Sequence, residues 1–302
     1  MWDFNLLLAT RTLEKSMAFV LYRWLIYLGV GLAYIFGAIL GAGTAIGIGA
    51  LSSNPTAFAG AGAWIGIGIV GWVLYKFRNS FLTGVHARNA ALLGAEALKE
   101  PVPQGKGQID DARRRVAERL PAPPALTPLI AAIRMVLSTL PGWKEPPPQT
   151  LPQRWLLLAK GLLATRETLT LLGYHFAHPA NSFARSARDG LLLLAAHLPT
   201  ILRNRLYLSG FCWLGCFAAF PVLLAAVQAI VAGLPLDPGL WPYVFALLLA
   251  WTIKAAFLDA IAMAAMLDLF LQLPAPENGT ELADALARDF PAFAGICAQA
   301  ES

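Results

Sequence analysis

Residues 24–75 read WLIYLGVGLAYIFGAILGAGTAIGIGALSSNPTAFAGAGAWIGIGIVGWVLY, and no side chain between Arg23 and Lys76 carries a charge. A buried helix of a soluble core is served by about a dozen apolar positions, whereas a helix that crosses a bilayer needs about 20. The stretch is long enough for two crossings. Ser52-Ser53-Asn54-Pro55 is its one polar patch, so a tight turn is expected around Pro55. A second uncharged block covers 206–236, and a third covers 238–253. The pattern predicts an all-α integral membrane protein with four transmembrane helices in two hairpins. Spans are expected at about 24–50 and 57–75 (hairpin 24–75), then at about 206–232 and 241–271 (hairpin 206–272).

Composition agrees. The chain is 57% hydrophobic and 14% charged, against about 25% charged in an average soluble protein. Its net charge of +5 is concentrated outside the apolar blocks, mostly in 76–205, which includes the run Arg113-Arg114-Arg115. Cytoplasmic loops of membrane proteins collect Lys and Arg, so this excess reads as topology and not as nucleic-acid binding. The basic residues are also not interleaved with aromatics as in a single-strand binder. Arg11, Lys15 and Arg23 precede the first span, whereas the expected loop at 232–240 holds only Asp237. The topology that follows is a multi-pass bacterial inner (cell) membrane protein with both termini and the middle segment in the cytoplasm. The first apolar run is too long for the core of a signal peptide, and another run follows it at once. Cys212 and Cys216 sit one turn apart inside a span, and Cys297 lies in the tail, so they form no disulfide framework.

Residues 1–23 pattern as an interfacial amphipathic helix carrying Trp2, Phe4, Leu7, Leu8, Phe19 and Val20. The segment 76–205 is too long for a loop. It is expected to form a helical, amphipathic cytoplasmic region with helices near 77–98, 109–119, 126–139, 152–176 and 182–204. In 152–176, Arg154, Lys160, Arg166 and Glu167 interrupt the apolar residues, which predicts a surface-lying or re-entrant helix and not a fifth span. The tail 273–302 is short and acidic, with a helix near 280–288. In the first two spans Gly37/Gly41, Gly43/Gly47 and Gly62/Gly66 recur four apart. Small residues one turn apart let backbones approach closely in lipid. They predict packing of span one on span two or, alternatively, an oligomerisation face.

Ionisable groups within spans are the first candidates for function. Span four supplies Lys254, Asp259 and Asp268, which are the transport or coupling candidates. At about 1.5 Å per residue from Trp241, Lys254 lies about 20 Å along the span and Asp259 about 27 Å. Five residues turn an α-helix by roughly 140°, so these two should not share a face. Arg23, Lys76, Arg78, Arg203 and Arg205 bracket the spans and are expected at lipid headgroups. His175 and His178 lack a third ligand at convincing spacing, so no metal or cofactor is expected. There is no phosphate-cradling glycine loop, no Gly-x-Ser-x-Gly elbow and no His-Glu-x-x-His, and nothing here argues for an enzyme.

From about residue 182 onward the chain resembles the last two spans of the choline-transporter-like family. The resembling residues are Ser186-Ala187-Arg188-Asp189-Gly190, Leu202-Arg203-Asn204, and Leu258-Asp259 followed nine residues later by Asp268. That family has more spans than this chain, and Leu267 stands where it usually carries a glutamate. The whole chain also resembles small bacterial membrane proteins of four-span plan. The first resemblance implies transport. Two functions follow as expectations. One is a transporter-like or channel-like homo-oligomer for a small organic solute. The other is a membrane scaffold or accessory subunit that docks a cytoplasmic protein partner through 76–205.

Overall fold

The computed structural model describes residues 3–49, 57–121, 123–143, 145–146, 148–233 and 239–301, with side chains for all of these except 57, 77–83, 123 and 124. Trp2, the turn at 52–55, the centre of the loop at 232–240 and the side chains of Arg78 and Phe81 lie outside the described residues. Those described are helical or irregular, with no strand among them. Helix α1 (Leu6–Lys15) starts at Asn5, whose side chain accepts the Leu8 N–H at 3.1 Å, the usual way of satisfying a first-turn donor. Then follow α2 (Met17–Gly49), α3 (Ala57–Ala97), α4 (Gly107–Arg119) and α5 (Pro123–Thr139) with a 3₁₀ turn at Leu140–Gly142. Next come α6 (Leu151–Thr165), α7 (Thr168–Phe176), α8 (Phe183–Ala196), α9 (Leu198–Val231) and α10 (Trp241–Ile253). A π turn, Lys254–Leu258, joins α10 to α11 (Asp259–Gln272), and α12 (Gly279–Asp289) and α13 (Pro291–Glu301) close the chain.

Several boundaries differ from those expected. Helix α3 runs through Lys76 without a break, because nothing there stops backbone hydrogen bonding when the side chains turn polar. Helix α9 likewise begins at Leu198 and not near 206, so Arg203 and Arg205 sit inside it. The segment 152–176 is two helices, parted at Arg166-Glu167. The tail carries a second helix beyond the one expected. Among the described residues five helices are long and apolar enough to cross a membrane, Ala125–Gly142 joining those expected.

The chain divides into two compact units. The first comprises Met1–Phe19, His86–Phe211 and Ala260–Ser302. Here α8 packs on α13 and α7, and α5 packs on α6 and α13. The core includes Leu92, Ile133, Leu137, Phe176, Leu191 and Phe293, all buried, each contributing about 1.5–3 kcal/mol by leaving water. Close approach needs glycine at two points. A Cβ on Gly161 would meet the Ser138 carbonyl oxygen at 2.7 Å, and one on Gly94 would lie against Phe176. Where α1 ends at Ser16, the buried Gln108 amide holds both sides of the break: Nε2 donates to the Lys15 carbonyl at 2.6 Å and Oε1 accepts the Phe19 N–H at 3.2 Å.

The second unit comprises Val20–Val85 and Cys212–Asp259. Its glycines divide in two. Gly37 and Gly41 of α2 face Gly66 and Gly62 of α3, so that a Cβ on Gly37 would meet the Gly66 carbonyl oxygen at 3.0 Å. A Cβ on Gly41 or Gly62 would run into the opposite backbone. Gly43 and Gly47 have open space beside them. The expected packing of span one on span two is therefore made by Gly37, Gly41, Gly62 and Gly66.

Candidate functional site at a π turn

In the second unit, Lys254 and Asp259 lie where α10 gives way to α11. An α-helix bonds each N–H four residues back, whereas here the Asp259 N–H bonds the Lys254 carbonyl five residues back, the mark of a π turn. The wider turn changes which side chains stack. Residues five apart, roughly 140° apart on an α-helix, come nearly into line. Lys254 Nζ consequently donates to both carboxylate oxygens of Asp259, at 2.8 and 3.0 Å. This corrects the sequence expectation that the two occupy different faces. Periodic reasoning assumed a uniform helix, and the inserted residue breaks that assumption.

The pair is asymmetric. The Lys254 side chain is 3% exposed and that of Asp259 29%. The Lys254 ammonium also lies 5.2 Å from the centre of the Trp213 ring, within reach of a cation–π attraction. Cys212 Sγ donates to the Leu258 carbonyl at 3.3 Å. Gly215 leaves room for the Leu258 side chain, which its Cβ would otherwise strike.

On α2, Arg23 is 2% exposed. Its Nη2 donates to the Ala255 carbonyl, inside the π turn, at 2.7 Å. Its guanidinium lies 5.5 Å from the centre of the Tyr27 ring, and Tyr27 meets Trp251 edge-on at 5.8 Å. Nε and Nη1 have no hydrogen-bond partner among the described residues. Arg23 was expected at a lipid headgroup, and it is instead a clamp on the π turn. No residue pattern signals that role, because it depends on a contact across 232 positions of sequence.

The other candidates are placed elsewhere. Asp268 belongs to the first unit, where it lines a cleft of about 590 Å³ with Leu8, Thr12, Lys15, Glu96 and Leu267. Lys15 and Glu96 form an ion pair there. Among the described residues, no hydrogen bond or ion pair engages Asp268. Arg205, a second expected headgroup contact, is buried with Glu167 in an ion pair, and Thr170 Oγ1 donates to the other Glu167 oxygen at 2.7 Å. Glu167 sits at the break between α6 and α7, so the charge that interrupts the apolar run is used inside the unit. Arg203 pairs with Asp3. The Asn204 side chain accepts the Asp3 N–H at 2.8 Å and donates to its carboxylate at 2.9 Å. These two partners hold the Asp3 carboxyl below the usual carboxylate range. Lys76 is exposed, 5.9 Å from the centre of the Trp72 ring.

His175 and His178 are not brought together as ligands. His175 Nε2 meets the Arg119 carbonyl at 3.1 Å, and Nδ1 meets Ser186 Oγ at 3.0 Å. A carbonyl can only accept, so Nε2 carries the proton and Nδ1 accepts from the hydroxyl. Burial pushes the His175 pKa down to about 4. His178 Nδ1 donates to the Tyr174 carbonyl at 2.8 Å. Among the described residues, no three of His, Cys, Asp and Glu are gathered as for a metal ion. Compared with known proteins, the chain matches no family model, no curated protein and no solved structure.

Proposed function

We propose that the chain is a four-span inner-membrane protein, with both termini in the cytoplasm, that works as a transporter-like homo-oligomer for a small organic solute. The Lys254–Asp259 pair would be its coupling element. One observation carries this reading: an ion pair set on a π turn within an apolar helix, with one partner sealed and the other part-exposed. Ionisable groups at membrane depth are costly and mark function, and π turns recur at functional sites. Asp259 keeps an accessible edge through which a cationic solute or a proton would compete with Lys254. Four spans rarely enclose a path alone, so the reading needs more than one copy.

The helix Ala125–Gly142 is left out of the span count for a physical reason. Its apolar positions Leu129, Ile130, Ile133, Val136, Leu137 and Leu140 are buried within the first unit. The opposite, exposed face carries Thr127, Arg134, Ser138 and Thr139 beside Met135, so most of it is polar.

The test is purification and reconstitution. The mass in detergent is measured, and proteoliposomes are followed by light scattering in iso-osmotic solutions of small neutral and cationic organic solutes. An oligomer whose solute-driven swelling is lost in Asp259→Asn supports the proposal. A monomer with no swelling overturns it. That result would favour the second reading, a scaffold that docks a cytoplasmic protein through the helical first unit, for which the observation is that unit's separate packed core.

A further inference from the structure

Helix α6 carries apolar residues on more than one face, and a helix of that kind needs more than one apolar neighbour. One side is accounted for: Gly161 and Ala164 are buried, and Gly161 lies against Ser138 of α5. The far side is bare. Leu151, Trp155, Leu158 and Leu162 are 69%, 71%, 58% and 70% exposed. They stand at i, i+4, i+7 and i+11, a stripe within about 60° of helix surface. Arg154 and Arg166 flank it, roughly 60° to either side. Both are exposed, and among the described residues neither has a hydrogen-bond or ion-pair partner. Lys160, away from the stripe, is instead paired with Glu145 at 2.9 Å.

We propose that this face of α6 lies in the headgroup layer of an anionic bilayer. Leu151, Trp155, Leu158 and Leu162 would enter the apolar boundary while Arg154 and Arg166 meet lipid phosphates. Three observations select lipid over the alternatives. The chain carries apolar helices able to span a membrane, so a bilayer is always within reach. The two shoulder charges are positive and unpaired, complementary to anionic headgroups. Helix α6 contains no Asp or Glu, so pairing with the same face of a second copy would set arginine against arginine with no carboxylate between them. The 15 residues of α6 measure about 22 Å, shorter than a hydrocarbon core of about 30 Å, and a helix lying flat needs no more. This placement requires membrane residence but no transport activity, so it stands or falls separately from the solute reading.

The experiment uses the full chain in vesicles of phosphatidylethanolamine and phosphatidylglycerol. A spin label is placed at position 151, 158 or 162 after Cys212, Cys216 and Cys297 are replaced by Ala. Collision with oxygen is then compared with collision with a water-soluble nickel chelate. The proposal expects all three labels to favour oxygen and to report similar depths. Arg154→Gln and Arg166→Gln should each shift the docked-to-undocked ratio by about fivefold, the equivalent of ~1 kcal/mol per charge near the surface. Access to nickel would mean a solvated face, and shielding from both reagents a protein-covered one. A depth gradient of roughly 16 Å from 151 to 162 would mean a steeply inserted helix. Each of these three results overturns the proposal. If removing the cysteines unfolds the chain, quenching by bromine-labelled lipid, compared between the natural chain and Trp155→Phe, decides the same question. A quenched component that Trp155→Phe removes supports the proposal, and the absence of such a component overturns it.

Discussion

At the scale of single residues, charge is the deciding quantity. Lys254 and Asp259 hold one another, and neutralising only one leaves the other unpaired in an apolar helix. Asp259→Asn should therefore destabilise the protein by about 3 kcal/mol, the usual cost of orphaning a buried charge. The double change Lys254→Met/Asp259→Asn should recover much of that loss. Thermal unfolding in detergent across the four variants checks this, and additive losses would mean that the pair is not coupled. His175 gives a pH prediction. Its pKa is about 4 in the fold and about 6.5 in an unfolded chain, so between those values the unfolded chain binds the extra proton. Stability is then complete above about pH 6.5 and falls as the pH drops toward 4, by roughly 3 kcal/mol in all. A midpoint of unfolding measured from pH 7 to pH 4 should decline in the natural chain and decline less in His175→Gln.

Among the helices, backbone proximity separates glycines that look alike in sequence. Gly41 and Gly62 have the opposing backbone where a methyl group would go, while Gly43 and Gly47 have open space. Gly41→Ala should loosen the α2–α3 contact by about 1–3 kcal/mol, as overpacking does. Gly43→Ala or Gly47→Ala should leave stability unchanged or raise it by about 0.5–1 kcal/mol through the better helix former. Melting temperatures of the three variants in one detergent decide this. Equal effects would mean that α2 and α3 do not meet at these glycines. The π turn belongs to the same scale. Arg23 donates into it from α2, so Arg23→Met should let the turn relax to α-helical bonding and part Lys254 from Asp259. Hydrogen exchange at the Asp259 amide would register that change.

For the whole molecule, the proposed four-span topology makes a prediction about sidedness. Cys297 and a cysteine at position 106 should react with an impermeant maleimide only from the cytoplasmic side, and one at position 240 only from the outside. Lys106→Cys and Leu240→Cys serve, since both positions are exposed. Reaction of 106 and 297 from opposite faces would mean an odd number of crossings between them, as when α5 spans.

Much of this architecture was legible beforehand because it depends on quantities that add along a chain. Uncharged length determined the long apolar helices, whereas the break at Arg166-Glu167 was not foreseen, since 152–176 read as one helix. The run 24–75 is apolar whatever it packs against, so helices long and apolar enough to cross a membrane follow from composition. The site was not legible, because it depends on a departure from regular geometry and on distant contacts. One extra residue in the turn after Ile253 brings Lys254 over Asp259. An arginine 232 positions away sits on the same turn, and Glu167 draws Arg205 inward. Hydrophobic burial acts on every apolar residue alike and can be summed from the sequence. The placement of an ion pair is decided by ångström distances that exist only after the helices have packed.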